Sequence, residues 1–488
     1  MMVQSRRASR VLEFGLRSLC GLLLVLAVVP VGVLPAAAAT RWHITDLGEA
    51  DGGSEVAWSP PEWLAWRLYD ESGRSALFAW NVRTRSRLRL CKTPGDCYDR
   101  DLMWQGGRLY WLREVYLTPG GSLKRCEILS MAPHDPGPKT LLSRKRIGVL
   151  LGGGGQLVWT EALRGAKDWS VFTSRRTNGR PRRLSGFGPE PADLRLSDKM
   201  LAWASKRTPR VIKVLPVGAT GRFAKAPTGV AVGGTRASKY EPGSLSLDGD
   251  RIAWSVRDGT GEWRVFSWAL DESTPTSAGF LSANQQVESL KPVVSGQRVA
   301  WSVFRNRYSA DGGAYVVSTW AVGESSPTII AEYAYPRYEV SIPTISDDTV
   351  AWLRLERGPE IPAAMADVGR TSTSTSTILE WRPDSPQPQG FDTPEAVYGA
   401  ETSGVAIRGN RIAFRTPRSS AYDNWLYLAE RIDARTTTPS RPSTTLPIDS
   451  GVESRRARGI RLLLITVTFF AAICGVWILV LVRRRRHD

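Results

Sequence analysis

The chain has little of the side-chain chemistry on which most metalloproteins and hydrolases depend. Its 488 residues include only three histidines, His43, His134 and His487, and five cysteines. No cluster of these residues has the spacing of a zinc site, and no G-x-S-x-G motif accompanies a histidine. The glycine run at 152–155 lacks the Lys-Ser/Thr pair of a phosphate-binding loop. The sequence therefore predicts no catalytic triad, no metal site and no cofactor.

Cysteine is scarce enough to exclude a disulfide-rich scaffold. Cys20 and Cys474 fall in apolar stretches near the two ends, which leaves Cys91, Cys97 and Cys126. An odd number leaves at least one thiol without an intramolecular partner. Cys91 and Cys97 flank one loop, so we predict a disulfide between them, with three free thiols as the alternative.

What the sequence has in abundance is tryptophan in a repeated phrase, a polar turn followed by an aliphatic-Ala-Trp strand. The gaps between copies are 45, 48, 44, 51, 47, 51 and 62 residues, which indicates a repeat architecture. The eight copies end at Trp66, Trp111, Trp159, Trp203, Trp254, Trp301, Trp352 and Phe414.

Each repeat reads as four antiparallel strands joined by hairpins. Around Trp301, runs rich in Val, Ile, Trp and Tyr alternate with breaks of Gly, Ser and Pro. Such units arranged radially form an all-β propeller, here of about eight four-stranded blades, with seven as the alternative. We expect the eight repeat residues to fill the gaps between blades. Trp63, Trp104 and Trp320 lie outside this register and are the candidates for a sugar-binding surface.

Residues 247–256 (LDGDRIAWSV) and 295–304 (SGQRVAWSVF) resemble the TolB-like, WD40-like repeats of bacterial β-propellers. The resemblance covers about residues 41–435 and implies the fold, whereas the biology of TolB does not carry over. Trp stands where Phe is more usual, there are eight copies rather than six, and no separate domain precedes the propeller. Residues 41–47 alternate like a strand, and we predict that they complete the last blade beside residues 425–430.

The two ends read as export and anchoring signals. Residues 1–39 have a basic start, an apolar core and an A-x-A site, as in a cleaved signal peptide. After the propeller at 40–435, residues 436–459 read as a Ser/Thr/Pro-rich stalk with a basic juxtamembrane segment. Residues 460–482 read as one transmembrane helix, followed by a basic cytoplasmic tail at 483–488. We therefore expect a single-pass membrane protein with its N-terminal ectodomain outside the cell membrane.

The formal charge of +18 for the whole chain is larger than the charge of the propeller with its stalk. Residues 40–450 hold 53 basic and 44 acidic residues. We expect the membrane, and a protein or polymer of the cell envelope, as partners, and no nucleic acid.

The insertion at 358–377 in blade 7 is interpreted as an exposed loop. The sequence favours a non-enzymatic binding scaffold. The alternative is a carbohydrate-binding or glycoside-cleaving propeller, because a carboxylate pair could meet in space from distant loops.

Overall fold

The computed structural model describes the propeller region. The described residues are 41–50, 56–59, 63–69, 75–92, 94–118, 121–162, 169–175, 180–188, 191–205, 211–218, 222–224, 227–233, 239–259, 261–281, 290–305, 313–335, 337–356, 373–393, 396–397, 405–417 and 424–432. The signal peptide, stalk, transmembrane helix and tail expected at 1–39 and 436–488 lie outside them. Within the described ranges, no helix has the length and apolarity needed to cross a membrane.

Within the described residues, thirty-five strands form eight antiparallel sheets, which confirms the all-β propeller of eight blades. Blades 1 to 3 comprise β2 (Ala57–Ser59), β3 (Trp63–Tyr69), β4 (Ser75–Asn81) and β5 (Ser86–Lys92); β6 (Cys97–Gln105), β7 (Arg108–Tyr116), β8 (Leu123–Met131) and β9 (Lys139–Arg144); and β10 (Ile147–Gly153), β11 (Gln156–Ala162), β12 (Trp169–Arg175) and β13 (Arg182–Gly188).

Blades 4 to 6 continue the pattern, and in blade 5 the first strand is split in two. They comprise β14 (Pro191–Leu196), β15 (Met200–Ser205), β16 (Val211–Pro216) and β17 (Thr228–Ala231); β18 (Lys239–Tyr240), β19 (Ser246–Asp248), β20 (Arg251–Arg257), β21 (Trp263–Ala269) and β22 (Thr276–Leu281); and β23 (Val293–Ser295), β24 (Arg298–Arg305), β25 (Ala314–Ala321) and β26 (Thr328–Ala334).

Blade 7 also has a split first strand, and blade 8 takes its fourth strand from the start of the chain. They comprise β27 (Tyr338–Val340), β28 (Thr344–Ser346), β29 (Thr349–Glu356), β30 (Thr373–Arg382), β31 (Ser385–Asp392) and the short β32 (Ala396–Val397); and β33 (Val405–Arg408), β34 (Arg411–Pro417), β35 (Asn424–Ile432) and β1 (Arg41–Ala50).

The closing strand has the predicted partner. β1 pairs antiparallel with β35, with Ile44 opposite Ala429 and Glu49 opposite Trp425. Ile44 packs against the cluster between blades 7 and 8, whereas Leu47 belongs to the cluster between blades 8 and 1. The first strand of the ring therefore joins blade 8 and supplies apolar side chains to both of its neighbours.

The insertion in blade 7 is shorter than the sequence indicates. β30 begins at Thr373, so residues 373–377 belong to a strand rather than to the expected exposed loop. The side chains of Ser376 and Thr377 are buried. Alternating Ser and Thr suit a pleated strand when a neighbouring strand is available, and here β29 supplies it.

Meandering strands give the ring two distinct faces. The turns between first and second strands share one face, which we call the turn face. Two of them place consecutive glycines at positive φ, Gly106-Gly107 and Gly154-Gly155, as tight hairpins require. The segments joining second to third strands leave from the opposite face, the loop face. Both ends of the described ring, Arg41 and Ile432, lie at the turn face, so the loop face is free of them.

Candidate binding surface

The repeat residues occupy the interfaces between blades. Eight apolar clusters each draw on two consecutive blades, and each contains one repeat residue. Trp66 packs between blades 8 and 1, Trp301 between blades 5 and 6, and Phe414 between blades 7 and 8. The remaining interfaces hold Trp111, Trp159, Trp203, Trp254 and Trp352. These side chains are at most 2% exposed, so they are placed to pack blades rather than to touch a ligand.

The three tryptophans outside the register do not assemble into a sugar platform. Trp320 is fully buried between blades 5 and 6, and its indole N–H donates to the carbonyl of Glu324. Trp63 and Trp104 stack at 6.0 Å between ring centroids and pack against the cluster between blades 1 and 2. His134 approaches Trp63 edge-on at 6.4 Å.

The carboxylate beside this aromatic group is an ionised structural partner. Asp135 accepts hydrogen bonds from the Ala132 N–H at 2.9 Å and from Arg108 at 2.6 Å. The pKa of Asp135 is lowered, first by the Ala132 N–H and then by Arg108. A carboxyl group with a lowered pKa is poorly suited to protonate a glycosidic oxygen near neutral pH.

A second carboxylate group lies between blades 2 and 3. Asp101, on first strand β6, has a positive φ of 54° and a raised pKa, because burial outweighs the opposing charge of Arg100. Arg100 also binds Glu114 at 2.8 Å, and Tyr116 donates to Glu114 at 2.6 Å. The Asp101 carboxylate also accepts a hydrogen bond from the Leu150 N–H of blade 3 at 3.0 Å. This contact makes it a bridge between blades.

The most buried charges also join blades. Asp99 of blade 2 is fully buried and receives a two-pronged ion pair from Arg113, at 2.7 and 2.9 Å. Arg67 of blade 1 donates to the main-chain carbonyl of Asp99, and its guanidinium lies 4.3 Å from the ring centroid of Tyr98. Removing one member would leave a buried charge without its partner.

A comparable bridge joins blades 4 and 5. The Tyr240 hydroxyl donates to Asp193 at 2.5 Å, and the Gly243 N–H donates to the same carboxylate at 2.7 Å. Both side chains are buried. Burial and the Asp193 charge raise the pKa of the Tyr240 phenol. In both bridges the buried charged groups are engaged in holding neighbouring blades together.

The three cysteines in the described residues, Cys91, Cys97 and Cys126, are free thiols, so the predicted Cys91–Cys97 disulfide is not formed in the structure. Burial is the main cause that raises the pKa of Cys91 to about 11, and it also raises the pKa of Cys97 to about 11. Both lie at the loop face, Cys91 near the end of β5 and Cys97 at the start of β6.

An aromatic group at the loop face of blade 6 differs from these interior contacts because it is only partly buried. Phe304 lies one residue before the end of the second strand and Tyr315 one residue after the start of the third, with ring centroids 4.8 Å apart. Tyr335 packs edge-on against Phe304 at 5.1 Å, and its N–H donates to the carbonyl of Gly313. Hairpin pairing thus holds three aromatic rings at one point of the loop face.

Arginine extends this group onto blade 7. The Arg354 guanidinium lies 5.5 Å from the ring centroid of Tyr333 and 5.2 Å from that of Tyr338. Exposed Arg337 stands 5.1 Å from the Tyr338 ring and binds Glu356 at 2.8 Å. Together Phe304, Tyr315, Tyr333, Tyr335, Tyr338, Arg337 and Arg354 form what we call the tyrosine–arginine surface. It lies beside the end of β29 at Glu356, and sequence reasoning identified only the insertion that follows β29 in the chain.

The described part of the chain contains no group of three or more His, Cys, Asp or Glu side chains that could hold a metal ion. The rings and guanidinium groups of the tyrosine–arginine surface offer stacking, hydrogen bonding and positive charge. Tyrosine and arginine are enriched in protein–protein interfaces for these properties.

Comparison with known proteins finds similarity in structure only. No protein-family model matches the sequence, and no curated protein matches it. The β-propeller domain of the Trilobed protease from Pyrococcus furiosus is 9% identical over 70% of this chain and 99% of that domain, with a TM-score of 0.42. The WD40 domain of SCAP from fission yeast is 10% identical over 80% of this chain and 94% of that domain, with a TM-score of 0.46.

Two enzymes are matched over only part of their own length. A puromycin hydrolase mutant is 14% identical over 65% of this chain, with a TM-score of 0.36, and the chain spans 60% of its length. It spans 44% of the tricorn protease, at 9% identity over 83% of this chain and a TM-score of 0.40. At such identities the similarity concerns the fold alone.

Proposed function

We propose that this protein is a membrane-anchored, extracytoplasmic scaffold whose propeller binds a protein or polymer of the cell envelope. The tyrosine–arginine surface is the observation that carries the proposal. The buried contacts Arg67–Asp99 and Asp193–Tyr240 join blades, whereas this surface is partly exposed. Rigid strands place its rings, so little conformational entropy is lost when they bind.

A site-specific crosslinker at Tyr335 tests the proposal. A photoreactive phenylalanine analogue there keeps an aromatic ring on the loop face, and the same analogue at exposed Lys199 probes the turn face. In intact cells, we expect the Tyr335 position to give one dominant crosslinked product and the Lys199 position to lack it. Arg337→Glu and Arg354→Glu should each weaken that product. Equal crosslinking from both faces, or none from Tyr335, would contradict the proposal.

A glycoside-cleaving role is the second candidate, and the raised pKa of Asp101 beside Glu114 favours it. Asp101→Asn and Glu114→Gln would then abolish turnover of envelope glycans while glycan binding persists. If the protein is a scaffold, these variants should instead be less stable, because the contact with blade 3 is weakened. Neither the wild type nor the variants should then turn over glycans.

A further inference from the structure

The outer rim of the ring is divided by the sign of its charge. In each of blades 1 to 7, the turn after the third strand and the fourth strand form the outer edge. In blades 1 and 3 the described part of this stretch, residues 82–92 and 180–188, has Lys or Arg and no acid. In blades 5, 6 and 7, residues 270–281, 322–334 and 383–392 have Asp or Glu and no Lys or Arg.

The separation of basic from acidic residues is made by exposed side chains. We call Arg89, Lys92, Lys139, Lys145, Arg182 and Arg183 the basic rim, on and beside the outer strands of blades 1 to 3. We call Asp271, Glu324, Glu332, Asp384 and Asp392 the acidic rim, on blades 5 to 7. All of these residues are exposed to solvent.

The two rims face in opposite directions. In a ring of eight blades, blade 1 stands opposite blade 5, blade 2 opposite blade 6 and blade 3 opposite blade 7. Charged side chains on edge strands prevent unwanted strand pairing, but that purpose requires charge without regard to its sign. Protection of the edges therefore explains why the rim is charged and leaves the separation of signs unexplained.

We propose that copies of this chain associate side by side, with the basic rim of one molecule against the acidic rim of the next. The opposed rims are complementary when two copies are related by a shift across the ring. Ile329, 48% exposed on β26 between Glu324 and Glu332, adds an apolar contact on the acidic rim. Such a head-to-tail interface leaves one free rim at each end, so rows of molecules can grow.

The association should be strong at low salt and weak at high salt. Charges on exposed side chains interact over about 30 Å at about 0.01 M salt and over about 3 Å at about 1 M. For the full-length protein in detergent, sedimentation should show concentration-dependent oligomers at the low salt and at least tenfold weaker association at the high salt. A monomer at low salt across all concentrations would overturn the proposal.

Charge-reversal variants test whether the basic rim and the acidic rim form the contact between copies. One variant carries Arg89→Glu, Lys139→Glu and Arg182→Glu, and the other carries Asp271→Lys, Glu332→Lys and Asp384→Lys. Each alone should stay monomeric at low salt, and the two mixed should form a dimer that does not grow, because each retains one native rim. Recovery on mixing also shows that both variants are folded. A control with Lys124→Glu, Lys199→Glu and Lys239→Glu has the same change in charge as the basic-rim variant, placed away from the rim, and should associate like the wild type.

Two outcomes would contradict the proposal. Loss of association in the control would indicate a general charge effect, and failure of the mixed variants to pair would exclude the head-to-tail contact. Inorganic polyphosphate tests the remaining explanation, that the basic rim binds a polyanion and not a second copy of the chain. If the wild type is monomeric yet binds polyphosphate, and the basic-rim variant does not, the basic rim serves a polyanion instead. The crosslinking test at Tyr335 concerns the loop face, so either proposal can fail without the other.

Discussion

At the scale of single residues, the aromatic side chain of each repeat fills the gap between two adjacent blades, at all eight interfaces. The equivalent of Trp301 in blade 8 is Phe414, which is also fully buried. Indole and benzyl rings therefore both fit this position, although the indole fills more volume. The repeat could be found in the sequence because the same packing demand recurs at each interface.

Replacing Trp301 should show what this position contributes. Trp301→Ala should lower the free energy of unfolding by about 3–5 kcal/mol, because it empties a packed site. Trp301→Phe, which imitates Phe414, should cost clearly less. Denaturant unfolding of both variants measures the difference, and equal costs would show that ring volume does not matter at this interface.

The thiols at the loop face should be slow to react near neutral pH. With pKa values raised to about 11, Cys91 and Cys97 have little thiolate at pH 8. We expect their alkylation rate to keep rising up to about pH 11, whereas a model peptide thiol levels off above about 8.5. Mass spectrometry of Cys91→Ser and Cys97→Ser separates the two sites. Rapid alkylation at pH 7 would contradict the raised pKa.

At the scale of elements, blade 8 depends on a strand from the other end of the chain. Ile44→Asp should destabilise the protein by about 2 kcal/mol or more, because it places a carboxylate against the cluster between blades 7 and 8. Asp46→Asn changes an exposed neighbour in β1 and should have little effect. Thermal unfolding compares the two, and equal melting temperatures would show that β1 does not hold the ring closed.

The bridge between blades 4 and 5 should make stability fall at high pH. The native pKa of Tyr240 lies above the unfolded value of about 10, so its stabilising effect is complete below pH 10 and is lost as the pH rises further. Tyr240→Phe should cost about 1.5–3 kcal/mol at pH 7, because the charged carboxylate of Asp193 loses the hydrogen bond that the Tyr240 hydroxyl donates. The variant should also lose less stability between pH 9 and about 11 than the wild type. Parallel pH curves would contradict the assignment.

At the scale of the whole molecule, the signal peptide expected at residues 1–39 is a prediction that can be tested directly. If residues 1–39 are a signal peptide, the mature chain should begin at about residue 40, after the A-x-A site. The Ala37→Leu, Ala39→Leu variant should keep the longer chain, because the site takes small residues. N-terminal peptides identified by mass spectrometry decide between the two, and an uncleaved wild-type N-terminus would contradict the signal-peptide prediction.

The sequence by itself determined the repeat architecture, the interface aromatics and the closing strand, and it left the blade number at eight or seven. These follow from a repeat of about 50 residues and from strand alternation, which are local properties of the chain. Alternation did not place 373–377 in a strand, because Ser and Thr become strand residues there only beside β29.

Only the tertiary structure decided which residues from different blades meet. Asp193 and Tyr240 are 47 positions apart, and nothing in the repeat distinguishes them from other polar residues. The tyrosine–arginine surface joins the fourth strand of blade 6 to the first and second strands of blade 7. The charge separation of the rim was readable in the sequence, but its meaning depends on which blades stand opposite. Long-range contacts of this kind depend on side-chain geometry across the interfaces, which periodicity does not encode.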